Sequence, residues 1–376
     1  MNFTYSLPVR IVFGRDKAND LGDVCAGLGL DNGLLVSDPV FAANGLAERI
    51  AAGSKGRLTD VFSSLSPNPD VAEVEECVKI VRANGHRFLV ALGGGSSMDC
   101  AKAASVMAGA GLPVRRYHSE KEPIPGPGLP LIVVPTTAGT GSEVTNVAVL
   151  TDAAKGIKLP MASDHMYARL ALIDPLLTLS VPPIVTASTG LDVLSHALEG
   201  FWSIHHQPIC DAAAIYSAKL VFDHLPAAHR DGGDLEAREW MCVASVVAGL
   251  AFAHPKTAGS HGCSFILTNK YRLPHGEACA FTLDSLVEIN CEADGERIAT
   301  LARMVGFASP KEMAGRIRTM KREMGMRRTL AEAGIGLDEL ESLVEGCRNP
   351  NLLNNPVELT RERLLAMFRG LAGDRA

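Results

Sequence analysis

Arg87-Phe-Leu-Val-Ala-Leu-Gly-Gly-Gly-Ser-Ser-Met-Asp99 is the stretch on which the fold turns. Its apolar run is short and ends in glycine, the signature of a buried parallel strand. The glycines let the backbone pass close to a bound group. The free N–H groups at the start of the helix that follows, expected over 99–107, favour a phosphate. An ordinary strand–helix turn also favours glycine, and the run is not G-x-G-x-x-G, so on its own it does not establish a dinucleotide site.

Reading outward, Gly33-Leu-Leu-Val-Ser37 and the segment 129–135 have the same strand character. Between strands, 70–84 carries apolar residues at 71, 74, 77, 78 and 81, a helical spacing. Strand–helix–strand alternation implies an open parallel sheet. Past Pro182-Pro183 the pattern turns helical, with helices expected over 208–225, 236–253, 310–324 and 360–371. The expected fold class is therefore α/β plus all-α, with a parallel-sheet nucleotide-binding domain over 1–182 and an all-helical metal- and substrate-binding domain over 183–376. A ligand cleft is expected between the two.

With 47% hydrophobic and 21% charged residues, the 376-residue chain has the composition of a well-packed globular protein. A net charge of −6 and the lack of any basic tract exclude nucleic acid as a partner. The N-terminal residues lack the charged and apolar regions of a signal peptide. The apolar segment 241–253 is too short for a membrane span. Nine cysteines without a CxxC pair fit reduced thiols. A cytoplasmic location with no membrane contact is the expectation.

Chemistry concentrates in two short segments. Thr189-Gly-Leu-Asp-Val-Leu-Ser-His196 sets Asp192 and His196 four apart, on one face of a helix. Ser260-His261 and Pro274-His275-Gly276 supply two more imidazoles. One carboxylate with three imidazoles suits iron, zinc or another first-row divalent ion rather than calcium or magnesium. Chance offers a rival reading, because a chain with eleven histidines contains some pairs at suggestive spacings. The segment Pro135-Thr-Thr-Ala-Gly-Thr-Gly-Ser-Glu143 packs Thr136, Thr137, Thr140 and Ser142 after a strand, a density of hydroxyls suited to phosphate and ribose oxygens. Asp38, just past the strand 33–37, is placed to hold an adenosine ribose and to repel a 2′-phosphate, which favours NAD over NADP. An Asp-Pro turn is the plainer reading of that residue.

Taken together, Pro67-Asn68-Pro69, GGGSSMD at 93–99, PTTAGTGSEVT at 135–145, TGLDVLSHALEG at 189–200 and LPHG at 273–276 resemble the iron-dependent (group III) alcohol dehydrogenases, with a dehydroquinate synthase-like fold. The resemblance spans nearly the whole chain. It implies Asp192, His196, His261 and His275 as metal ligands, and Gly94, Gly95 and Ser96 at the pyrophosphate. It further implies Asp99, Thr136, Thr137 and Ser142 nearby, and Asn68 and Lys158 lining the nucleotide and substrate cleft. NAD(H), with NADP as the alternative, a divalent iron or zinc ion, an aldehyde or alcohol substrate and a homodimer follow from the same resemblance.

Many members carry a proton-relaying histidine ten residues before the Pro-His-Gly histidine, where this chain has Phe265. The proton then travels by water and the ribose hydroxyls, or another group such as His254 serves. The segments 248–258 and 273–283 are most similar to the phosphonoacetaldehyde reductases, which make 2-hydroxyethylphosphonate. Lys256, with Arg272 or Lys270, is then the expected contact to the phosphonate. A broad-specificity alcohol dehydrogenase is the alternative. A dehydroquinate synthase type of cyclisation would need more Lys and Arg around these motifs.

Overall fold

Six strands form one parallel sheet: β1 (Arg10–Phe13), β2 (Gly33–Ser37), β3 (Leu58–Phe62), β4 (Phe88–Gly93), β5 (Leu131–Pro135) and β8 (Leu170–Ile173). Between β5 and β8 the chain adds an antiparallel pair, β6 (Val147–Asp152) and β7 (Ile157–Ala162). This computed structural model describes residues 2–373. The sheet order is β1-β8-β5-β4-β2-β3. From β2 the chain steps to β3 on one side and then to β4 on the other. The carboxyl ends of β2 and β4 therefore flank a switch point, where open α/β sheets take their ligands. Every residue of β2, β4 and β5 is buried, which explains their unbroken apolar runs.

Asp70 starts the helix Val71–Ala83 with a capping box: its carboxylate accepts from Ala72 N at 2.8 Å, and Glu73 accepts from Asp70 N at 2.8 Å. The helix after β4 runs from Gly95 to Met107, so it begins four residues before the expected start at Asp99. Gly94 is its extended N-cap, and both serines already lie in its first turn. Gly93 has φ +151°, and a Cβ there would collide with Ser97 and Asp38, so only glycine closes this turn. Four-residue β1 and β8 were too short to stand out in the sequence, and β6–β7 was not anticipated either.

The second unit is helical, with its principal helices at Pro183–Trp202, Pro208–Arg230, Leu235–Phe252, Gly259–Asn269, His275–Met304 and Pro310–Glu323. It begins at Leu179 and also includes the N-terminal residues through Tyr5 and the segment Ala138–Gly141. The expected division, at 182/183, has no such exchange of segments. The helix expected to end at 225 continues to Arg230 through Pro226. Among the described residues no helix is long and apolar enough to cross a membrane.

Pro183–Trp202 is buried on nearly every side. Its Leu191, Leu194 and Leu198 share one apolar core with Phe281, Leu283 and Leu286 of His275–Met304. These two helices meet at Gly276, where a Cβ would run into the Ser188 carbonyl and lie 2.9 Å from Asp192 Cβ. Gly276→Ala must part them. The expected cost is about 1–3 kcal/mol, seen as a lower urea midpoint; an unchanged midpoint would show that this contact is not a constraint.

Candidate functional site

In the helical unit, Asp192, His196 and Glu199 project from successive turns of Pro183–Trp202, and all three are buried. Gly259–Asn269 adds His261, and the first residue of His275–Met304 is His275. These side chains converge. His261 Nε2 is 3.0 Å from His196 Nε2 and 3.6 Å from Asp192 Oδ1, and the His261 and His275 ring centroids are 5.5 Å apart. The tightest group of possible donors is Asp192, His261, His275 and Cys279, whose ligand atoms all lie within 4.8 Å of one another. His196 joins this group through His261.

Glu199, which sequence reasoning missed, orders the cluster. Its carboxylate accepts from Ser260 N at 2.5 Å, from His261 N at 3.3 Å, and from the His261 ring at Nδ1. A carboxylate only accepts, so Nδ1 carries a proton, and in the neutral ring Nε2 keeps its lone pair toward the cluster. The i, i+7 spacing of Asp192 and Glu199 was the available signal. Phe252 stacks on His196 with centroids 4.2 Å apart and gives that ring an apolar backing. Burial pushes His196 well below the ordinary histidine range, and His261 and His275 push the same way. At His261 burial acts likewise, but Cys279 and Glu199 outweigh it and hold its pKa well above the ordinary value.

This donor set fits a divalent transition ion. Two imidazole nitrogens bound about 2.1 Å from one ion stand about 3.0–3.4 Å apart at cis to tetrahedral angles, and the His196–His261 separation is 3.0 Å. Neutral His196 is ready to bind without first losing a proton.

In the α/β unit the glycine-rich turn lies at the switch point. The helix Gly95–Met107 has no side-chain cap, which leaves first-turn N–H groups for an anion. Gly94, Gly95 and Ser96 are half-buried there. Thr137 Oγ1 stands over Gly94, 3.4 Å from where a Cβ would lie, and Thr136 is buried beside it in sequence. Asp38 accepts from Gly94 N at 3.2 Å. Burial raises its pKa, against the bonds from Gly94 and Ser97. Asn68, at φ +59°, accepts from Lys158 Nζ at 2.6 Å through Oδ1, and its N–H donates to Ser96 Oγ at 3.2 Å.

Asp99 and Ser142 work on the loop itself. Asp99 accepts from Ser142 Oγ at 3.1 Å and from Val149 N at 2.9 Å. Lys102, fully buried and also missed, donates to Ser142 Oγ, Thr145 Oγ1 and Val147 O at 2.8, 3.2 and 2.9 Å. Burial pushes its pKa down to about 8, against the attraction of Asp99 and Glu143.

The remaining candidates are spread out within the helical unit. The ring of His254 lies 4.8 Å from that of Tyr5. Lys256 is exposed at φ +66° and donates to Ala253 O at 2.8 Å. Arg272 is exposed at φ +59°. Lys270 is paired with Glu339 at 2.8 Å, a neutralised pair on the surface. Phe265 is half-buried.

Against known proteins, the profile of the iron-containing alcohol dehydrogenases matches residues 8–175, and the C-terminal profile of the Fe-containing alcohol dehydrogenase family matches 186–372. Alcohol dehydrogenase 4 of Saccharomyces cerevisiae is 31% identical over 97% of each chain. Sulfoacetaldehyde reductase of Bilophila wadsworthia is 30% identical over 98% of each. The crystal structure of sulfoacetaldehyde reductase from Bifidobacterium kashiwanohense in complex with NAD+ superimposes with a TM-score of 0.97, at 47% identity over the full length of both chains.

Glu199→Gln keeps the shape but removes the charge that fixes the His261 tautomer. Metal affinity, measured by competition with a chelator, is expected to fall about 10–100-fold with the fold intact; wild-type affinity would show that Glu199 only packs.

Proposed function

The chain belongs to the iron-containing alcohol dehydrogenase family, and we propose that it uses NADH to reduce a two-carbon aldehyde bearing a terminal oxyanion, phosphonoacetaldehyde or sulfoacetaldehyde, to the primary alcohol. The observation that carries the substrate class is the full-length 47% identity to a sulfoacetaldehyde reductase. The segments 248–258 and 273–283 support the phosphonate member of the same class. Aldehyde, NADH and a proton give alcohol and NAD+.

Asp192, His196, His261 and His275 hold the divalent ion in this reading. Glu199 orients His261, and Phe252 shields His196. Gly94, Gly95 and Ser96 take the pyrophosphate at the open helix start, with Thr136 and Thr137 beside them. Asn68 and Lys158 brace the same surface, while Asp99, Lys102 and Ser142 hold the loop. When bound, the ion supplies Lewis acidity toward the carbonyl oxygen and the nicotinamide supplies the hydride. Phe265 carries no proton, so protonation of the product falls to water, to ribose hydroxyls or to His254. Lys256 meets the oxyanion in this reading; Arg272 is the second cation for this role.

A homodimer belongs to the same proposal. Edge strand β1 exposes Ile11 and Phe13, an apolar rim that a second copy would cover. So does a cytoplasmic location, which nine cysteines without a CxxC pair fit.

A broad-specificity alcohol dehydrogenase is the second reading, favoured by the yeast relative. NADH oxidation with phosphonoacetaldehyde, sulfoacetaldehyde and propionaldehyde side by side decides between them. The proposal expects kcat/KM for an anionic aldehyde at least about tenfold above propionaldehyde, the worth of one charge-assisted bond. Lys256→Ala should raise KM for the anionic substrate alone. Equal use of propionaldehyde would leave the oxidoreductase standing and remove the oxyanion. Asp38→Asn should lower the NADH/NADPH ratio of kcat/KM by about tenfold, because a 2′-phosphate no longer meets a carboxylate; an unchanged ratio would take Asp38 out of cofactor choice.

A further inference from the structure

Cys279 lies one turn beyond His275 on the helix His275–Met304 and is fully buried. Its Sγ is 3.8 Å from His275 Nε2 and belongs with Asp192, His261 and His275 to the group whose ligand atoms lie within 4.8 Å of one another. The geometry points to Cys279 as a further metal ligand, a sulfur donor added to the carboxylate and imidazoles.

The i, i+4 spacing stacks Cys279 over His275 on one helix face. The relation repeats that of Asp192 and His196 on the neighbouring helix, so each helix presents a pair of donors. In a five-donor shell, an ion bound about 2.1 Å from nitrogen and about 2.3 Å from sulfur sets the two about 3.1 Å apart at 90° and about 3.8 Å apart at 120°, and the separation of His275 Nε2 and Cys279 Sγ is 3.8 Å. On coordination the S–H bond breaks, the proton leaves to solvent and the sulfur pair is donated to the ion, with no change of oxidation state. A soft donor favours zinc and cobalt more than a shell of oxygen and nitrogen alone does. This inference rests on the metal reading above.

Cobalt(II) tests it. The full-length protein, stripped of metal and given one equivalent of cobalt, is expected to show a thiolate-to-cobalt charge-transfer absorption in the near ultraviolet. Cys279→Ser and Cys279→Ala should each lose that absorption, keep the visible cobalt bands, and release the ion to a chelator about tenfold faster. X-ray absorption of the zinc-loaded wild type needs no variant and should show one sulfur at about 2.3 Å. Stoichiometric cobalt without the charge-transfer absorption, or its persistence in Cys279→Ser, overturns Cys279 as a ligand and leaves the Asp/His centre standing. Failure to take up cobalt at all overturns the metal centre, and this inference with it.

Discussion

The contact of two helices at Gly276 is the constraint on which the rest of the helical unit depends. With no side chain between them, the first turn of His275–Met304 lies directly on the Ser188 carbonyl and beside Asp192. His275 is thereby brought to Asp192, although 83 residues separate them in the chain (275 − 192). A single methyl group would push the turn away, and donor atoms must match an ion to within a few tenths of an ångström. The apolar core shared by both helices supplies the force that keeps them in contact.

In the α/β unit a comparable constraint is polar. Lys102 and Asp99, on the helix Gly95–Met107, hold the start and end of the segment 142–149 from below. A buried ammonium is costly unless its donors find acceptors, and here it finds three. The segment 142–149 is thus fixed by these bonds rather than by its own propensity. The open helix start and Thr137 over Gly94 remain available above.

Much of this was legible in the sequence because the signals were local. The runs in β2, β4 and β5 are apolar because both faces are covered. Asp192 and His196 declare themselves by helical spacing, and the glycine turn by composition. What stayed hidden depended on distant partners. Glu199 reads as an ordinary helix-surface acid until Gly259–Asn269 is packed against it, and Lys102 as a solvated cation until the loop arrives. Cys279 reads as one reduced thiol among nine until His261 and Asp192 are packed beside it. The start of the helix at Gly95 was missed because glycine and serine are poor helix formers, and tertiary packing overrode their propensity. The excursion of Ala138–Gly141 into the helical unit leaves no mark on composition, since Gly139 N is bonded to Ser245 Oγ at 3.0 Å, more than 100 residues away.

The charge balance of the cluster connects these observations. Asp192 and Glu199 are both buried in the helical unit, and both face His261. Two carboxylates withdrawn from water require positive charge close by. One answer is a proton on His261, whose pKa burial pushes down but Cys279 and Glu199 together hold well above the ordinary value. That answer covers one charge and occupies the nitrogen lone pair aimed at His196. A divalent ion would supply two positive charges, and a neutral His261, its Nδ1–H donating to Glu199, would offer Nε2 to it beside His196 and His275. Proton and ion would compete for the same nitrogen, so acid would oppose a metal at His261, while burial holds His196 well below the ordinary histidine range and leaves its ring neutral.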